Sequence, residues 1–149
     1  MPVHIKRRRG LAAIDGGLLR RRAVHLLQLL DLPDSELSIL LTGDEEMTDL
    51  NREYLGRDRT TDVLAFSQME GVGADLHRRI LGDVVICVPQ AERQAARFGG
   101  DLMDEVIVLL VHGVLHLIGY EHVGAGHSAA AKMRREQQRL VKLLHGKRK

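Results

Sequence analysis

Four short segments of the chain have the residue pattern that is typical of β-strands. In the first, Val3 and Ile5 alternate with polar residues, which is the spacing of a strand with one buried face. The other three segments, residues 37–42, 63–66 and 80–88, are short runs rich in valine, leucine and isoleucine. The pattern therefore predicts about four strands and a small β-sheet.

Helical spacing marks about five further segments, in which apolar residues recur every three or four positions. We expect helices at residues 19–30, ending before Pro33; from Asp44 as cap through Tyr54; at 89–98, closed by Gly99 and Gly100; at about 101–118; and from Ser128 as cap through 144. The fourth helix is almost wholly aliphatic, so we expect it to be buried at the centre of the molecule. The segments together predict an α+β fold, with a small mixed sheet and helices packed on it.

The length of the chain and its single cysteine limit the number of domains and the compartment that we expect. A chain of 149 residues can bury one core, and we expect a single domain over residues 1–149. Cys87 is the only cysteine, so no disulfide can form within the chain and a reducing compartment is expected. Its valine and isoleucine neighbours indicate a core residue rather than a nucleophile. No apolar signal segment follows the basic N-terminus, and the apolar run at 106–118 is too short to span a bilayer. We therefore expect a cytoplasmic protein that does not bind membranes.

Two histidines on the predicted central helix carry the main functional signal. His112 and His116 are four residues apart, so both side chains lie on one face of the helix. Gly119 can take the positive φ that ends a helix, and the turn gives His122 a chance to face the first two. Three neutral imidazoles with a fourth position left to water make a catalytic zinc site. This spacing predicts a metallohydrolase with one helix carrying the metal histidines.

An alternative is that the histidines are ordinary core residues. The residues around His112 and His116 are almost all aliphatic, and burying an imidazole there without a partner would cost roughly 1–3 kcal/mol. A metal would supply that partner. The glycine and the third histidine also agree with the metal, so the metal site is the interpretation that we favour.

Gly113 limits the chemistry of this site. In the zinc proteases with the H-E-x-x-H motif, a glutamate directly after the first histidine is the general base, and in this chain that position is Gly113. Peptide hydrolysis through that glutamate is excluded. Metal-assisted hydrolysis of another bond stays open, because a bound zinc ion lowers the pKa of its water to about 7.

The formal net charge is only +2, but the basic residues are clustered. The runs are Lys6 to Arg9, Arg20 to Arg22, Arg57 with Arg59, Arg78 with Arg79, and Lys147 to Lys149. Such runs suit contact with a phosphate backbone, although they are also common on solvated faces. Aromatic residues make up 3% of the chain, so a broad base-stacking platform is not expected.

Three blocks of the sequence carry a resemblance to a known family. Residues 61–66 (TDVLAF), 81–86 (LGDVVI) and 112–122 (HGVLHLIGYEH) are similar, in this order, to motifs of the YbeY family of bacterial single-strand-specific metallo-endoribonucleases. The resemblance covers roughly residues 36–144. It implies one zinc ion per chain, cleavage of single-stranded RNA, maturation of ribosomal RNA at the 3′ end of the small-subunit RNA, and a role in ribosome quality control. The implied partners are ribosomal RNA and the small ribosomal subunit.

The chain departs from this family at several positions, and two of these departures bear on candidate site residues. The family usually has an arginine after the aromatic residue that is Tyr54 here, and this chain has Leu55. Arg57 or Arg59 lies close enough in sequence to replace that phosphate contact, which is a hypothesis. Glu121 stands where the family has an aspartate before the third histidine. The extra imidazole of His127 is interpreted as a loop residue rather than a fourth ligand.

The sequence does not identify the residue that transfers protons in the reaction. Glu121, Asp62 and Asp83 are candidates for the general base, and each could instead have a structural role. Attack by the ribose 2′-OH, with a metal only stabilising charge, is an equally open chemistry. Two other functions are also retained: a zinc-stabilised RNA- or ribosome-binding factor without turnover, and a metallohydrolase acting on another substrate.

Overall fold

The computed structural model of the chain describes residues 3–68, 80–120 and 126–145, with the backbone alone for residues 126–129. Four strands and five helices lie in these ranges, so the predicted α+β fold is confirmed. In chain order they are β1 (Val3–Arg7), α1 (Gly16–Leu29), β2 (Glu36–Thr42), α2 (Asp44–Leu55), β3 (Val63–Ser67), β4 (Ile80–Cys87), α3 (Val88–Phe98), α4 (Leu102–Leu117) and α5 (Gly126–His145).

The four strands form one mixed sheet in the order β1-β2-β4-β3. β1, β2 and β4 are parallel, and β3 runs antiparallel to β4 with Val63 opposite Ile86. Parallel neighbours need a crossover connection, and α1 supplies the one between β1 and β2. β3 lies at an edge of the sheet, beside the helix that carries the histidines.

The two faces of the sheet pack against different helices. Val84 and Ile86 of β4 belong to the main core, which contains the buried residues of α1, α4 and α5. Their neighbours Val85 and Cys87 face the other way and pack with Met47 of α2. Because alternate residues of a strand point to opposite faces, α4 and α2 lie on opposite sides of the sheet. Cys87 is fully buried, and burial raises the pKa of its thiol, as expected for a core residue.

Helix α4 is the buried central helix that the sequence predicts. From Val106 to Leu117 all of its side chains are buried except Val108, His112 and His116, which are partly exposed. Asp101 caps the helix by accepting a hydrogen bond from the Asp104 N–H at 2.8 Å. The partly exposed residues therefore form one stripe on a helix that is otherwise enclosed.

Two glycines allow α4 to approach the sheet closely. A Cβ on Gly113 would lie 2.7 Å from Val84 Cγ1, which is inside van der Waals contact. Gly82 has a φ of +145°, and a Cβ there would overlap the Phe66 carbonyl oxygen and lie 2.9 Å from Leu117 Cδ2. The backbone of α4 therefore packs against the Val84 side chain at Gly113, and the Leu117 side chain of α4 packs against the backbone of β4 at Gly82.

Two predicted helix caps are wrong. The N-cap of α2 is Gly43, and Asp44 is the first helical residue, because the Asp44 carboxylate instead accepts two hydrogen bonds from Arg93, at 2.7 and 3.1 Å. Helix α5 begins at Gly126, before Ser128, so the prediction that His127 is a loop residue is also wrong. Serine is tolerated within helices, and neither Gly126 nor His127 prevents an earlier start.

Within the described ranges, no helix has both the length and the apolar character needed to cross a membrane.

Candidate metal centre

His112 and His116 converge on the partly exposed face of α4. Their Nε2 atoms are 3.2 Å apart, and the ring centroids are 4.7 Å apart with the rings edge to face. The spacing of four residues brings both imidazoles to the same side, as the sequence predicts. Each ring therefore presents the same nitrogen to one point in space.

The separation of these two nitrogens fits a metal site. Two ligands of a tetrahedral zinc ion, each with a Zn–N distance of about 2.0–2.1 Å, lie about 3.3–3.4 Å apart. The Nε2 atoms, at 3.2 Å, are close to that separation without a change of rotamer. His122 and Glu121 lie outside the described residues. In the ranges that are described, no set of three or more His, Cys, Asp or Glu side chains forms a metal-binding group, so His112 and His116 are the part of the predicted ligand set that can be located.

Gln137 of α5 contacts the other nitrogen of His112. The Nδ1 atom of His112 lies 2.7 Å from the Gln137 Oε1 atom. Sequence reasoning missed Gln137, because it lies 25 residues after His112 and on a different helix. The only sign of it in the sequence was a polar side chain on the helix face that it shares with the apolar residues Met133, Leu140 and Leu144 of α5.

Helix α4 ends in a well-defined C-terminal cap. Gly119 has a φ of +101°, its N–H donates to the His116 carbonyl at 3.1 Å, and the Tyr120 N–H donates to the Leu115 carbonyl at 2.9 Å. This pair of bonds is a Schellman motif, which confirms the predicted role of Gly119. The Tyr120 hydroxyl donates to Glu136 Oε2 of α5 at 3.3 Å. The chain is thus tied to α5 immediately before residues 121–125.

Gly113 faces the sheet between the two histidines. Because a Cβ at this position would already collide with Val84, a glutamate would require the helix or the strand to move. The site has no room for the proteolytic base of the H-E-x-x-H motif. A general base at position 113 is therefore excluded.

Asp62 lies at the start of β3, on the side of the sheet where α3 and α4 pack. Its Oδ2 atom accepts a hydrogen bond from Gln94 Nε2 at 3.1 Å. Burial, and secondarily the charge of Asp62, raise the pKa of Glu105 on α4. Glu105 precedes His112 by seven residues, so it shares the face of the helix with His112 at about 10 Å along the axis. Sequence reasoning missed Glu105, although the spacing of seven was a readable signal.

Asp83 is not brought together with the histidines. It follows Gly82 on β4, and its neighbour Val84 is the residue that faces α4. Asp83 lines a groove on the opposite face of the sheet, with His4, Lys6, Ser38 and Leu40 among the other lining residues. The pleat of the strand therefore separates this candidate base from the candidate metal ligands.

Arg57 and Arg59 are exposed in the loop between α2 and β3. The loop backbone is held by Asn51, which is 1% exposed: its Nδ2 donates to the Arg59 carbonyl at 2.8 Å, and its carbonyl accepts from the Arg57 N–H at 3.3 Å. The backbone is fixed while both guanidinium groups reach solvent. Tyr54 and Leu55 are exposed beside them, and Tyr54 packs edge-on against Phe66 with ring centroids 5.0 Å apart.

Several residues of the other basic runs contact the protein itself. Arg7 donates to the Ile14 carbonyl at 2.6 Å, Arg8 pairs with Glu46, and Arg20 donates to the Val3 carbonyl. Arg22 is 6% exposed. The clustering of charge in the sequence therefore overstates the number of arginines that are available to a nucleic acid.

A layered α+β domain with a histidine pair on its buried helix matches a defined family. Residues 18–145 match the family model described as Endoribonuclease YbeY. The chain belongs to the YbeY family of endoribonucleases, as the motifs at 61–66, 81–86 and 112–122 indicate.

Individual relatives extend over nearly the whole chain. It is 38% identical to the endoribonuclease YbeY of Syntrophus aciditrophicus, over 98% of this chain and 91% of that protein. It is 39% identical to the endoribonuclease YbeY of Geobacter sulfurreducens, over 97% of this chain and 96% of that protein. Among solved structures, the solution structure of TM1509 from Thermotoga maritima has the same fold, with a TM-score of 0.67, 24% identity, and coverage of 97% of this chain and 89% of that one.

Proposed function

We propose that this protein is a zinc-dependent endoribonuclease that hydrolyses single-stranded RNA, with one zinc ion held by His112, His116 and His122. The observation that carries the proposal is the approach of the His112 and His116 Nε2 atoms to 3.2 Å, in a chain of the endoribonuclease YbeY family. As for the family that it resembles, we propose that it acts in the cytoplasm on ribosomal RNA, at the 3′ end of the small-subunit RNA, and in ribosome quality control. The domain spans residues 1–149.

The proposed ligand set leaves one coordination position for water or substrate. A zinc ion held by three histidines would supply a Lewis acid and would lower the pKa of a water molecule to about 7. The protein supplies the neutral imidazoles, the enclosed helix that holds them, and the close packing at Gly113 that keeps α4 in place against Val84. A structural zinc site normally has four protein ligands, so a three-histidine site favours catalysis over a purely structural ion.

Glu121 and Asp62 are the two carboxylates that we retain for proton transfer. Glu121 immediately precedes the third proposed ligand. Asp62 lies on the same side of the sheet as α4, where Gln94 holds its carboxylate at 3.1 Å. We leave Asp83 out of the mechanism, because it lines the groove on the opposite face of the sheet.

Arg57 and Arg59 are the proposed contacts to the RNA backbone. Both are exposed on a loop whose backbone Asn51 fixes, and both follow Leu55, the position at which the family has an arginine. A guanidinium group on a fixed loop can contact a phosphate without ordering the main chain on binding. We propose that these two side chains replace the missing arginine.

RNA cleavage and metal content, measured on the same samples, test this function. Purified wild-type protein should contain about one zinc ion per chain and should cut single-stranded RNA more efficiently than duplex RNA or a small phosphoester. His116→Ala should lose zinc and cleavage together. His4→Ala is the matched control, because His4 is an exposed histidine on the opposite face of the sheet.

The alternatives give different results in this experiment. Zinc without cleavage in the wild-type protein would favour a zinc-stabilised RNA- or ribosome-binding factor. Cleavage of a small ester but not of RNA would favour another substrate. The termini of the RNA products distinguish water attack from 2′-OH attack, because only the latter leaves a 2′,3′-cyclic phosphate.

A further inference from the structure

Helix α5 has a polar residue on the face that packs into the core. Met133, Leu140 and Leu144 are 3%, 0% and 0% exposed, and with Gln137 they follow the spacing of one helix face. A helix with only a packing role would have an apolar residue at this position. Gln137 instead directs its side-chain oxygen to the Nδ1 atom of His112, at 2.7 Å.

The chemistry of this contact determines which nitrogen of His112 has the proton. An amide oxygen only accepts hydrogen bonds, so Nδ1 must be the protonated, donating nitrogen. In a neutral imidazole the other nitrogen, Nε2, then has the lone pair. Nε2 is the atom that faces His116 at 3.2 Å. The hydrogen bond therefore leaves the lone pair of His112 at the point where the two histidines converge.

We infer that Gln137 is a positioning residue that fixes the tautomer and the ring orientation of His112, so that its Nε2 atom is ready to bind a cation. This inference rests on the proposed metal site. Histidine ligands usually donate their second ring N–H to an acceptor, and loss of that acceptor lowers metal affinity by about 10–100-fold.

A second contact of the same helix turn supports this role for α5. Glu136, the residue before Gln137, accepts a hydrogen bond from the Tyr120 hydroxyl at 3.3 Å and is paired with Arg139. Adjacent residues of α5 thus hold a histidine of α4 and the residue that precedes the segment with His122. Helix α5 therefore contacts both His112 and Tyr120, the last described residue before His122 in the sequence, through adjacent side chains.

The test compares Gln137→Leu, which removes the acceptor, with Gln137→Glu, which retains one. Gln138→Leu is the matched control, because Gln138 is the exposed neighbour on the same helix. The His112 tautomer is read from the ring-nitrogen chemical shifts of the metal-free proteins, and zinc affinity from competition with a chelator. Thermal unfolding of each variant is measured in the same buffer.

We expect Gln137→Leu to lose the Nδ1–H signature of His112 and to bind zinc about 10–100-fold more weakly. Its unfolding temperature should be equal to or higher than that of the wild type, since leucine continues the apolar face of α5. If Gln137 had a purely structural role, weaker zinc binding would not be combined with unreduced stability. Gln137→Glu should retain the signature and the affinity, and Gln138→Leu should match the wild type.

Two results would overturn the inference. One is a Gln137→Leu variant with the wild-type tautomer and zinc affinity; the other is a loss of affinity in Gln137→Glu equal to that in Gln137→Leu. Failure of the wild-type protein to bind zinc would instead overturn the proposed function. In that event, the tautomer measurement on the metal-free protein would still decide whether Gln137 controls His112.

Discussion

A polar cluster lies on each side of the sheet, and the two clusters differ in how their polar groups are paired. On the α2 side, Asp44 accepts hydrogen bonds from Arg93 at 2.7 and 3.1 Å and from the Cys87 thiol at 3.3 Å. On the α4 side, the Nε2 atoms of His112 and His116 lie 3.2 Å apart. The Asp44 cluster joins an anion to a cation and is complete without a ligand. The histidine pair places two ligands of the same kind at one point, which suits a metal ion.

This difference shows that burial and polarity do not by themselves mark a functional site. Both clusters connect a helix to a second element, through Arg93 in one cluster and Gln137 in the other. What distinguishes the histidine pair is that two identical nitrogens meet at one point, together with the acceptor that Gln137 gives to the far nitrogen of His112. Four substitutions test this difference between the clusters, with expected effects that decrease from His112→Ala to Asp44→Asn.

The largest effect is expected from His112→Ala, which removes one of the two converging nitrogens. Zinc content should fall from about one ion per chain to near zero, and RNA cleavage should fall at least about 100-fold, since the proposed metal would supply the Lewis acid. The measurements are metal analysis and cleavage rate. Arg93→Ala, which breaks the Asp44 cluster, should leave both quantities unchanged; an equal loss in Arg93→Ala would remove the distinction between the two clusters.

Gly113→Ala tests the packing that holds the histidine helix on the sheet. The added Cβ would lie 2.7 Å from Val84 Cγ1, so we expect a loss of about 1–3 kcal/mol in the free energy of unfolding, measured by urea denaturation. Adding Val84→Ala should recover part of this loss. Gly100→Ala is the matched control, because a Cβ at Gly100 meets nothing within 4 Å. A Gly113→Ala variant as stable as the wild type would show that the contact is easily relieved.

Arg57→Ala together with Arg59→Ala tests the proposed RNA contact. If each arginine neutralises one phosphate, the slope of log affinity against log salt should become shallower by about 1.4, or about 0.7 for each contact to single-stranded RNA. The effect should appear mainly in KM rather than in kcat. Arg21→Ala, an exposed arginine of α1, is the control, and an unchanged salt slope in the double variant would contradict the proposed contact.

The smallest effect is expected from Asp44→Asn. Hydrogen bonds from Arg93 lower the pKa of Asp44 in the folded protein. The ionised carboxylate therefore stabilises the fold at pH values above the pKa of the unfolded chain, about 3.9. This stabilisation is lost as the pH falls through the lower pKa of the folded state. The pair is about half exposed, so the gain is no more than about 1 kcal/mol. The variant should be slightly less stable than the wild type at pH 7 and equally stable near pH 2. A difference that persists at pH 2 would assign the effect to something other than charge.

Features that depend on neighbouring residues could be predicted from the sequence. The same-side placement of His112 and His116 follows from the geometry of one helix, and the turn at Gly119 follows from its freedom to take a positive φ. The strands were predicted for the same reason, since their apolar runs are local. The prediction of Asp44 as a helix cap was wrong, because its carboxylate accepts hydrogen bonds from Arg93, 49 residues later in the chain.

Features that depend on how elements pack were not predictable in this way. Asp83 was a plausible base because it lies in a family motif, but a one-residue step along β4 decides the face of the sheet that its side chain reaches. The arginine runs could not show that Arg8 pairs with Glu46, 38 residues later. The contact of Gln137 with His112, and the effect of Asp62 on Glu105, became visible only when α5 and Asp62 were placed beside α4.

The fold class, the family and the pair of histidines on one helix face could be predicted from the sequence alone, because periodicity and motif spacing are local properties of the chain. The packed structure was needed to show that Gln137 contacts His112, that Asp62 but not Asp83 lies on the side of the sheet where α4 packs, and that Gly113 is required for contact with Val84. These depend on which elements meet and at what distance. Contacts between residues far apart in the chain are set by the packing of the whole core, which no local pattern specifies.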